Sequence, residues 1–186
     1  MPEWDAKTAE WYAEKYGEYP TNRLAIDALP LAADSIVVDV GCGTGSALRH
    51  AAAVVTNGML IGVDPVPRMV EIAKEKSAEH PAAKRLQFLE GPAEALPVQD
   101  DFADFVLAFD SFDHWKNQPL GLAEAHRILR PGGMLIVVKD GGTPNAAHAG
   151  NAFVEELTPS GFTIALEKKI SEGDVQFMMW QCVPAK

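Results

Sequence analysis

The densest run of chemically informative residues is Val37-Val38-Asp39-Val40-Gly41-Cys42-Gly43-Thr44-Gly45-Ser46. An apolar run carries an acid, and three glycines at alternate positions follow before a helical stretch. Such glycines let the backbone turn with positive φ and let a ligand approach without meeting a Cβ. The helix that follows offers free N–H groups and the positive end of its dipole. Asp64 closes the next apolar run, 21 residues beyond Gly43. An acid at that spacing can accept both hydroxyls of a ribose; the competing use is to cap the helix that begins near Pro67. The spacing also narrows the nucleotide. A dinucleotide loop needs its third glycine at position 46, which is Ser46, and the G-x-x-x-x-G-K-[ST] phosphate loop is absent. A second group lies in Phe109-Asp110-Ser111-Phe112-Asp113-His114-Trp115. There Asp110, Ser111 and His114 are the candidates to face a reacting group. His114 has an ordinary pKa close to neutrality and reads as a base that Asp113 orients, or equally as a helix-start histidine packed by Trp115. No His, Cys, Asp or Glu cluster has metal-ligand spacing.

These residues need a scaffold, and the pattern around them supplies one. Short apolar, β-branched runs alternate with helical stretches, which argues for βαβ units and a mainly parallel sheet covered by helices on both faces. Strands are expected at 35–40, 59–64, 86–90, 104–109 and 134–139. A last pair, 163–169 and 176–183, flanks Ser171-Glu172-Gly173-Asp174 and reads as an antiparallel hairpin. Helices are expected at 44–55, 67–77, 120–129 and 151–157. Pro67 suits a first helical turn, and Pro131-Gly132-Gly133 reads as a helix stop. In the 67–77 helix Met69, Ile72, Ala73 and the stem of Lys76 form the inward stripe. An N-terminal helix over 4–16 carries Trp4, Trp11, Tyr12 and Tyr16, with Tyr19 beyond it. That stripe is expected to combine core packing with covering the glycine loop.

Composition sets the bounds. The chain has 186 residues with 16 basic and 26 acidic side chains, a net charge of −10, shared between the halves as −4 for residues 1–93 and −6 for 94–186. Phosphate backbones are bound largely through Lys and Arg, so nucleic acid is an unlikely partner. The six acids Glu94, Asp100, Asp101, Asp104, Asp110 and Asp113, with no base between 94 and 113, read as a solvated turn and strand end, or as a rim hostile to anions. Cys42 and Cys182 make no disulfide framework. No secretory leader or membrane span is visible, which points to a cytoplasmic protein. Length predicts one domain over 1–186, with 1–30 as its helical cap.

The chain resembles the class I S-adenosylmethionine-dependent methyltransferases, in particular the small branch with the ubiquinone- and menaquinone-type enzymes. Four blocks carry the resemblance: Asp39-Val40-Gly41-Cys42-Gly43-Thr44-Gly45; Ile61-Gly62-Val63-Asp64; Glu90-Gly91-Pro92-Ala93-Glu94-Ala95-Leu96-Pro97 followed by 101–105; and Arg127-Ile128-Leu129-Arg130-Pro131-Gly132-Gly133. The resemblance implies a Rossmann-like three-layer α/β sandwich: a mostly parallel seven-stranded sheet with an antiparallel C-terminal hairpin. It implies S-adenosyl-L-methionine as cofactor. Gly41, Cys42, Gly43 and Gly45 would lie beside its methionine and ribose, Asp39 would hold its amino group, and Asp64 its ribose hydroxyls. Pro65, Pro92, Ala93, Glu94 and Phe109 would complete the site. Many relatives carry Asp where this chain has Pro92, which has neither carboxylate nor N–H, so adenine recognition would rest on the Ala93 backbone or Glu94.

The expected function is methyl transfer to a small-molecule acceptor. Thr143, Asn145 and His148, after the fifth strand, either line its pocket or sit in a solvated loop. The alternatives are a non-catalytic S-adenosylmethionine-binding partner subunit and, disfavoured by Ser46, an NAD(P)-dependent oxidoreductase.

Overall fold

The computed structural model describes residues 5–140, 153–155, 157 and 159–185. Its strands are β1 (Ile36–Val40), β2 (Met59–Asp64), β3 (Leu86–Glu90), β4 (Ala103–Phe109), β5 (Leu129–Asp140), β6 (Phe162–Glu172) and β7 (Val175–Pro184). The helices are α1 (Ala6–Tyr16), α2 (Pro20–Asp27), α3 (Ser46–Ala51), α4 (Pro67–Ser77) and α5 (Gln118–Ile128). The seven strands form one sheet in the order β3-β2-β1-β4-β5-β7-β6. β1 to β5 run parallel, while β7 lies antiparallel between β5 and β6. This is the Rossmann-like mixed sheet with an antiparallel hairpin that the sequence predicts. The chain moves outward from β1 to β3 and returns to β4 on the other side of β1. The switch lies between β1 and β4, where strand ends open a ligand crevice.

Alternate residues of each strand feed two cores, as the pleat requires. Val37, Leu60, Phe105, Leu107, Ile136 and Val138 pack with Leu24 and Ile26 of α2, Leu48 of α3 and Val70 of α4. Val38, Ile61, Val106, Leu135 and Val137 pack on the opposite face with Leu122, Ala125 and Ile128 of α5 and with Phe153, Phe162 and Trp180. Both faces of the central strands are therefore covered, which explains their near-continuous apolar runs.

Several boundaries differ from the sequence reading. α3 covers 46–51 rather than 44–55, because Gly45 stands at its N-cap in the left-handed region with φ 77°. α5 ends at Ile128, before Pro131. Leu129 already pairs with Ala103, and Met134 resumes the ladder against Phe105. The segment Arg130-Pro131-Gly132-Gly133 thus makes a bulge in β5. Pro131 has no N–H for a ladder bond, and Gly132 takes φ 85°. The final hairpin is longer than expected and turns on Gly173 and Asp174, with φ 59° at Gly173. Lys76 is exposed, and Val70 and Ser77 join Met69, Ile72 and Ala73 on the buried side of α4. Residues 153–155 and 157 are helical, within the expected 151–157 helix. Trp4, Thr143, Asn145 and His148 lie outside the described residues.

The N-terminal region is two helices, joined at Gly17–Tyr19. α1 presents Ala9 and Ala13, four residues apart, to Met69 and Ile72 of α4. Small side chains at that spacing bring the helices close and turn the aromatics outward. Trp11 is 50% exposed and Tyr16 44%, so of this stripe only Tyr12 packs, half-buried, against the alanines, and Tyr12 and Tyr16 stand over the crevice at the strand ends. Arg68 of α4 bonds Glu10 of α1 at 3.1 Å, and Arg23 of α2 bonds Glu172 in the hairpin at 2.6 Å.

Candidate functional site

The glycine turn is held from three sides. The N–H groups of Gly41 and Cys42 both donate to the Val63 carbonyl of β2, at 2.8 and 3.1 Å. Gly43 N–H donates to Asp64 Oδ2 at 2.9 Å, and Val66 N–H donates to Asp64 Oδ1 at 2.9 Å. One carboxylate thus ties the turn to the entry of α4, without capping the helix itself. The three glycines do different work. A Cβ at Gly41 would stand 2.5 Å from Ser111 Cβ, and one at Gly45 2.6 Å from the Phe88 ring. At Gly43, φ is 51° and a Cβ would meet nothing within 4 Å. Gly41 and Gly45 permit packing; Gly43 leaves its face open to a ligand.

That face belongs to a cavity of about 1120 Å³ at the switch point. Its walls include Asp39–Thr44, Asp64–Pro67, Pro92–Glu94, Phe109–Ser111, Asp113–Lys116, Lys139 and Asp140. Asp39, Gly41, Cys42, Gly43, Asp64, Pro65, Pro92, Ala93, Glu94 and Phe109 all stand on it, as do Asp110, Ser111 and His114. Gly45 does not: it faces the Phe88 ring instead. From the N-terminal helices come Tyr12, Tyr16, Gly17, Tyr19, Thr21 and Asn22.

The wall carries several buried acids. Asp39 is 3% exposed and its Oδ1 has no hydrogen-bond partner among the described residues. Burial, helped by the nearby Asp64 charge, raises its pKa to about 7. Burial also raises Asp64, against the two N–H bonds that favour its ionised form. Burial lifts the Cys42 thiol well above its ordinary value. The sulfur packs beside Gly62, where a Cβ would come within 2.7 Å of Sγ.

Beyond β4 the chain makes a strained step. Asp110 has φ 50°, its N–H donates to the Val138 carbonyl at 3.0 Å, and its Oδ1 accepts from Asp140 N–H at 2.7 Å. Burial raises its pKa to about 6. A non-glycine residue at positive φ persists only where its surroundings impose it, and such residues cluster at functional sites. Ser111 Oγ donates to the Val40 carbonyl at 2.6 Å, so its proton serves the β1–β4 join. His114 ends a 3-10 turn over Phe112–His114, and burial, then Lys139, lowers its pKa. Asp113 Oδ2 is bonded by Lys139 Nζ.

The acids between 94 and 113 find partners that the sequence window does not contain. Arg127 bonds Asp100 and Glu124 and the carbonyls of Leu96 and Val98. Arg130 pairs with Asp104, whose other oxygen accepts from Ile36 N–H. Glu94 accepts from Asn117 N–H at 2.6 Å, at the start of α5. Five of the six acids at 94–113, namely Glu94, Asp100, Asp104, Asp110 and Asp113, are thus bonded to other elements rather than forming a free rim. Lys116 and Lys139 also stand on the wall, placed there by the turn after β4 and the end of β5.

The contact that sequence reasoning misses is Thr44. Its Oγ1 donates to the Gly17 carbonyl at 2.6 Å. Arg49 adds bonds to the Thr44 carbonyl at 2.6 Å and to Glu18 at 2.5 Å. These bonds hang the N-terminal helices on the glycine turn. Thr44→Val leaves a buried carbonyl unpaired and is expected to cost about 1–3 kcal/mol, read by urea unfolding without ligand.

The family model described as a methyltransferase domain matches residues 38–137. A ubiquinone/menaquinone biosynthesis C-methyltransferase of Geotalea daltonii is 30% identical over 118 residues, 63% of this chain and 50% of that protein. A 27-O-demethylrifamycin SV methyltransferase of Amycolatopsis mediterranei is 34% identical over 133 residues, 71% of this chain and 47% of that protein. The chain spans about half the length of these curated relatives. Among solved structures, a SAM-dependent methyltransferase from Aquifex aeolicus superposes with a TM-score of 0.77 at 18% identity, covering 97% of this chain and 99% of its own. The mitomycin 7-O-methyltransferase superposes with a TM-score of 0.80 at 17% identity, covering 97% of this chain and 58% of its own. The structural likenesses show the fold, and the family match takes in more than half of the chain, including the glycine turn, Asp64 and the strained Asp110. This chain belongs to the methyltransferase-domain family, among the class I S-adenosylmethionine-dependent methyltransferases.

Proposed function

We propose that the chain binds S-adenosyl-L-methionine in this cavity and catalyses methyl transfer from it to a small-molecule acceptor. The observation that carries the reading is the pairing of an unpartnered, buried Asp39 Oδ1 with the open face of Gly43 on one wall. The cofactor's donor set fits these residues. Asp39 offers an acceptor to its ammonium, whose charge offsets the cost of keeping that carboxylate ionised in a buried place. Each oxygen of Asp64 already accepts one N–H and keeps acceptor capacity for a ribose hydroxyl. Pro65 and Val66 on one side and Pro92 and Ala93 on the other are apolar walls for adenine. Glu94 has one oxygen engaged with Asn117 and one left for the adenine edge.

Bound there, the cofactor supplies a methyl group on a sulfonium, which leaves as a neutral thioether. The chain's part is to position, to exclude water and to handle a proton. Asp110 and His114 take the last role at the acceptor end. Asp110 with its pKa raised to about 6 and His114 with its pKa lowered are both proton acceptors at pH 7. At about 1120 Å³ the cavity exceeds the ~300–1,000 Å³ range usual for ligand pockets, so it has room for a second small molecule. Residues 1–186 act as one unit, with 1–30 as the cap. A cytoplasmic setting suits two buried cysteines that form no disulfide.

The test is thermal unfolding with S-adenosylmethionine, S-adenosylhomocysteine, NAD or NADP, each alone. At 100 times its dissociation constant, a ligand adds about 2.7 kcal/mol, a readable rise in melting temperature. A rise with both S-adenosyl compounds and none with the nicotinamides is expected. A rise with the nicotinamides alone would overturn the reading.

A further inference from the structure

Around the strained turn after β4, the cavity wall combines one carboxylate with several aromatic rings. Asp110 is half-buried. Its Oδ1 accepts from Asp140 N–H, while its Oδ2 has no hydrogen-bond partner among the described residues. Tyr12 and Tyr16 of α1 stand on the same wall, with ring centroids 5.2 Å apart and planes at 43°. Burial, and then the charge of Asp110, pushes the Tyr12 phenol up, so that ring lies close to this carboxylate. Trp115 stands on the wall just beyond the turn. Its ring is seated 5.0 Å from that of Phe112 and over Gly121, where a Cβ would come within 2.4 Å of it. Aromatic faces attract cations, and more so beside a carboxylate in a partly desolvated place. The charge of the wall points the same way. Among the described residues it carries six carboxylates, Asp39, Asp64, Glu94, Asp110, Asp113 and Asp140, and two lysines, Lys116 and Lys139. Lys139 is engaged by Asp113, and Lys116 is exposed. S-adenosylmethionine brings one net positive charge, which leaves the wall still negative. An anionic acceptor would add to that repulsion, and a cationic one offsets it.

We infer that the acceptor is an amine, bound as its ammonium against the Asp110 carboxylate and the rings of Tyr12, Tyr16 and Trp115. The inference rests on the cofactor reading under Proposed function and gives the acceptor of that reading a chemical class. Asp110 then has two uses. It is the counter-ion that holds the ammonium, and it is the base that takes one of its protons. The nitrogen lone pair so freed forms the bond to the methyl carbon, and the electrons of the broken carbon–sulfur bond leave with the neutral thioether. The nitrogen ends as a methylated ammonium, and the proton on Asp110 passes to solvent. The rings bind without exchanging a proton, so Tyr12 is a binding residue here and a phenylalanine can replace it.

The experiment is calorimetric titration of the full chain at pH 8, first with S-adenosylhomocysteine and then, with that compound saturating, with matched probes. The probes share alkyl or benzyl skeletons and differ only in carrying an amine, a trimethylammonium, a hydroxyl or a carboxylate. Wild type, Tyr12→Phe and Tyr12→Leu are compared, with ligand-free melting as the check on folding. The expected result is that wild type binds the amines and trimethylammonium compounds about tenfold or more tighter than the matched alcohols, and the carboxylates weakest of all. Tyr12→Phe keeps that preference, and Tyr12→Leu weakens the cations by about five- to tenfold, the scale of one ring–cation contact, with the alcohols unchanged. With S-adenosylmethionine in place of the product, the amines and not the alcohols are methylated. The comparison of probes on wild type needs no variant to fold. Alcohols or carboxylates that bind as tightly as the matched amines would overturn the inference, as would a panel in which no cation binds or a loss in Tyr12→Leu that is equal for cations and alcohols. If S-adenosylhomocysteine itself does not bind wild type, the cofactor reading falls instead, so the two failures are told apart.

Discussion

Asp39→Asn is expected to make the ligand-free protein more stable at pH 8 while removing most of its affinity for S-adenosylhomocysteine. The native carboxyl is buried, lacks a partner for Oδ1 and has its pKa raised from 3.8 to about 7. For an acid raised on folding, stability is fully present below the unfolded pKa and is lost as pH rises through the folded one. The loss grows from about pH 4 to about pH 7 and is then constant. A shift of about three units corresponds to about 4 kcal/mol, and an unpaired buried amide returns part of that cost. A gain of about 2 kcal/mol at pH 8, shrinking toward pH 5, is therefore expected from denaturant unfolding. Binding runs the other way. Asn can accept from an ammonium but brings no opposing charge, so affinity falls by about hundredfold, the scale of a buried charge-assisted bond. In wild type the affinity strengthens as pH rises through about 7, and in the variant it is flat. Equal stability of the two proteins at pH 8 would contradict the assignment.

Asp110→Asn is expected to lower kcat by about 10²- to 10⁴-fold, the usual contribution of a positioned general base, and to leave S-adenosylhomocysteine binding within a few-fold of wild type. Asn is the replacement of choice because it tolerates positive φ and its side-chain carbonyl can keep the bond from Asp140 N–H. The pH profile separates a lost base from a disturbed backbone. With the native pKa raised to about 6 by burial, the wild-type rate climbs as pH passes about 6 and then levels. Asp110→Asn loses that limb. The same shift acts on stability in the opposite sense: the contribution of Asp110 is present below about pH 4 and is lost as pH rises through about 6. Activity and stability thus diverge across one interval. Release of S-adenosylhomocysteine over a panel of small acceptors reads the rate, and His114→Gln in the same assay shows which of the two groups takes the proton. A variant with full kcat and an unchanged pH limb would remove Asp110 from the chemistry.

Much of the site can be read in the chain because its parts are local. A strand that ends in acid and alternate glycines has few conformations open to it, and Gly41, Gly43 and Gly45 all adopt the positive φ that their spacing suggests. The 21-residue step to Asp64 places the two strand ends side by side, because parallel neighbours joined by one crossover align their carboxyl ends. Less local features were harder to read. Pro131-Gly132-Gly133 reads as a helix stop, yet it lies inside β5, because the pull of β4 on Leu129 extends the strand back past it. The aromatics of α1 read as sharing core packing with cover for the glycine loop, yet two alanines take most of the buried face, while Tyr12 and Tyr16 stand on the cavity wall. Close approach to α4 favours small side chains there, and only the neighbouring helix imposes that.

By itself, the sequence determined the alternation of strands and helices, the turn that presents Gly43 and the two carboxylates that flank it. Those features depend on residues adjacent along the chain, whose conformational preferences act whatever else is nearby. Tertiary structure decided the rest. It decided that Asp39 Oδ1 lacks a partner among the described residues while Asp64 has two, and that Asp113 faces Lys139. It also decided that Thr44 holds the N-terminal helices over the cavity and that Asp110 sits at positive φ. Burial and charge pairing are properties of the neighbours that folding brings together. A carboxylate's pKa or a hydroxyl's partner is therefore set by residues far away in the chain, through desolvation and hydrogen bonds that no local pattern contains.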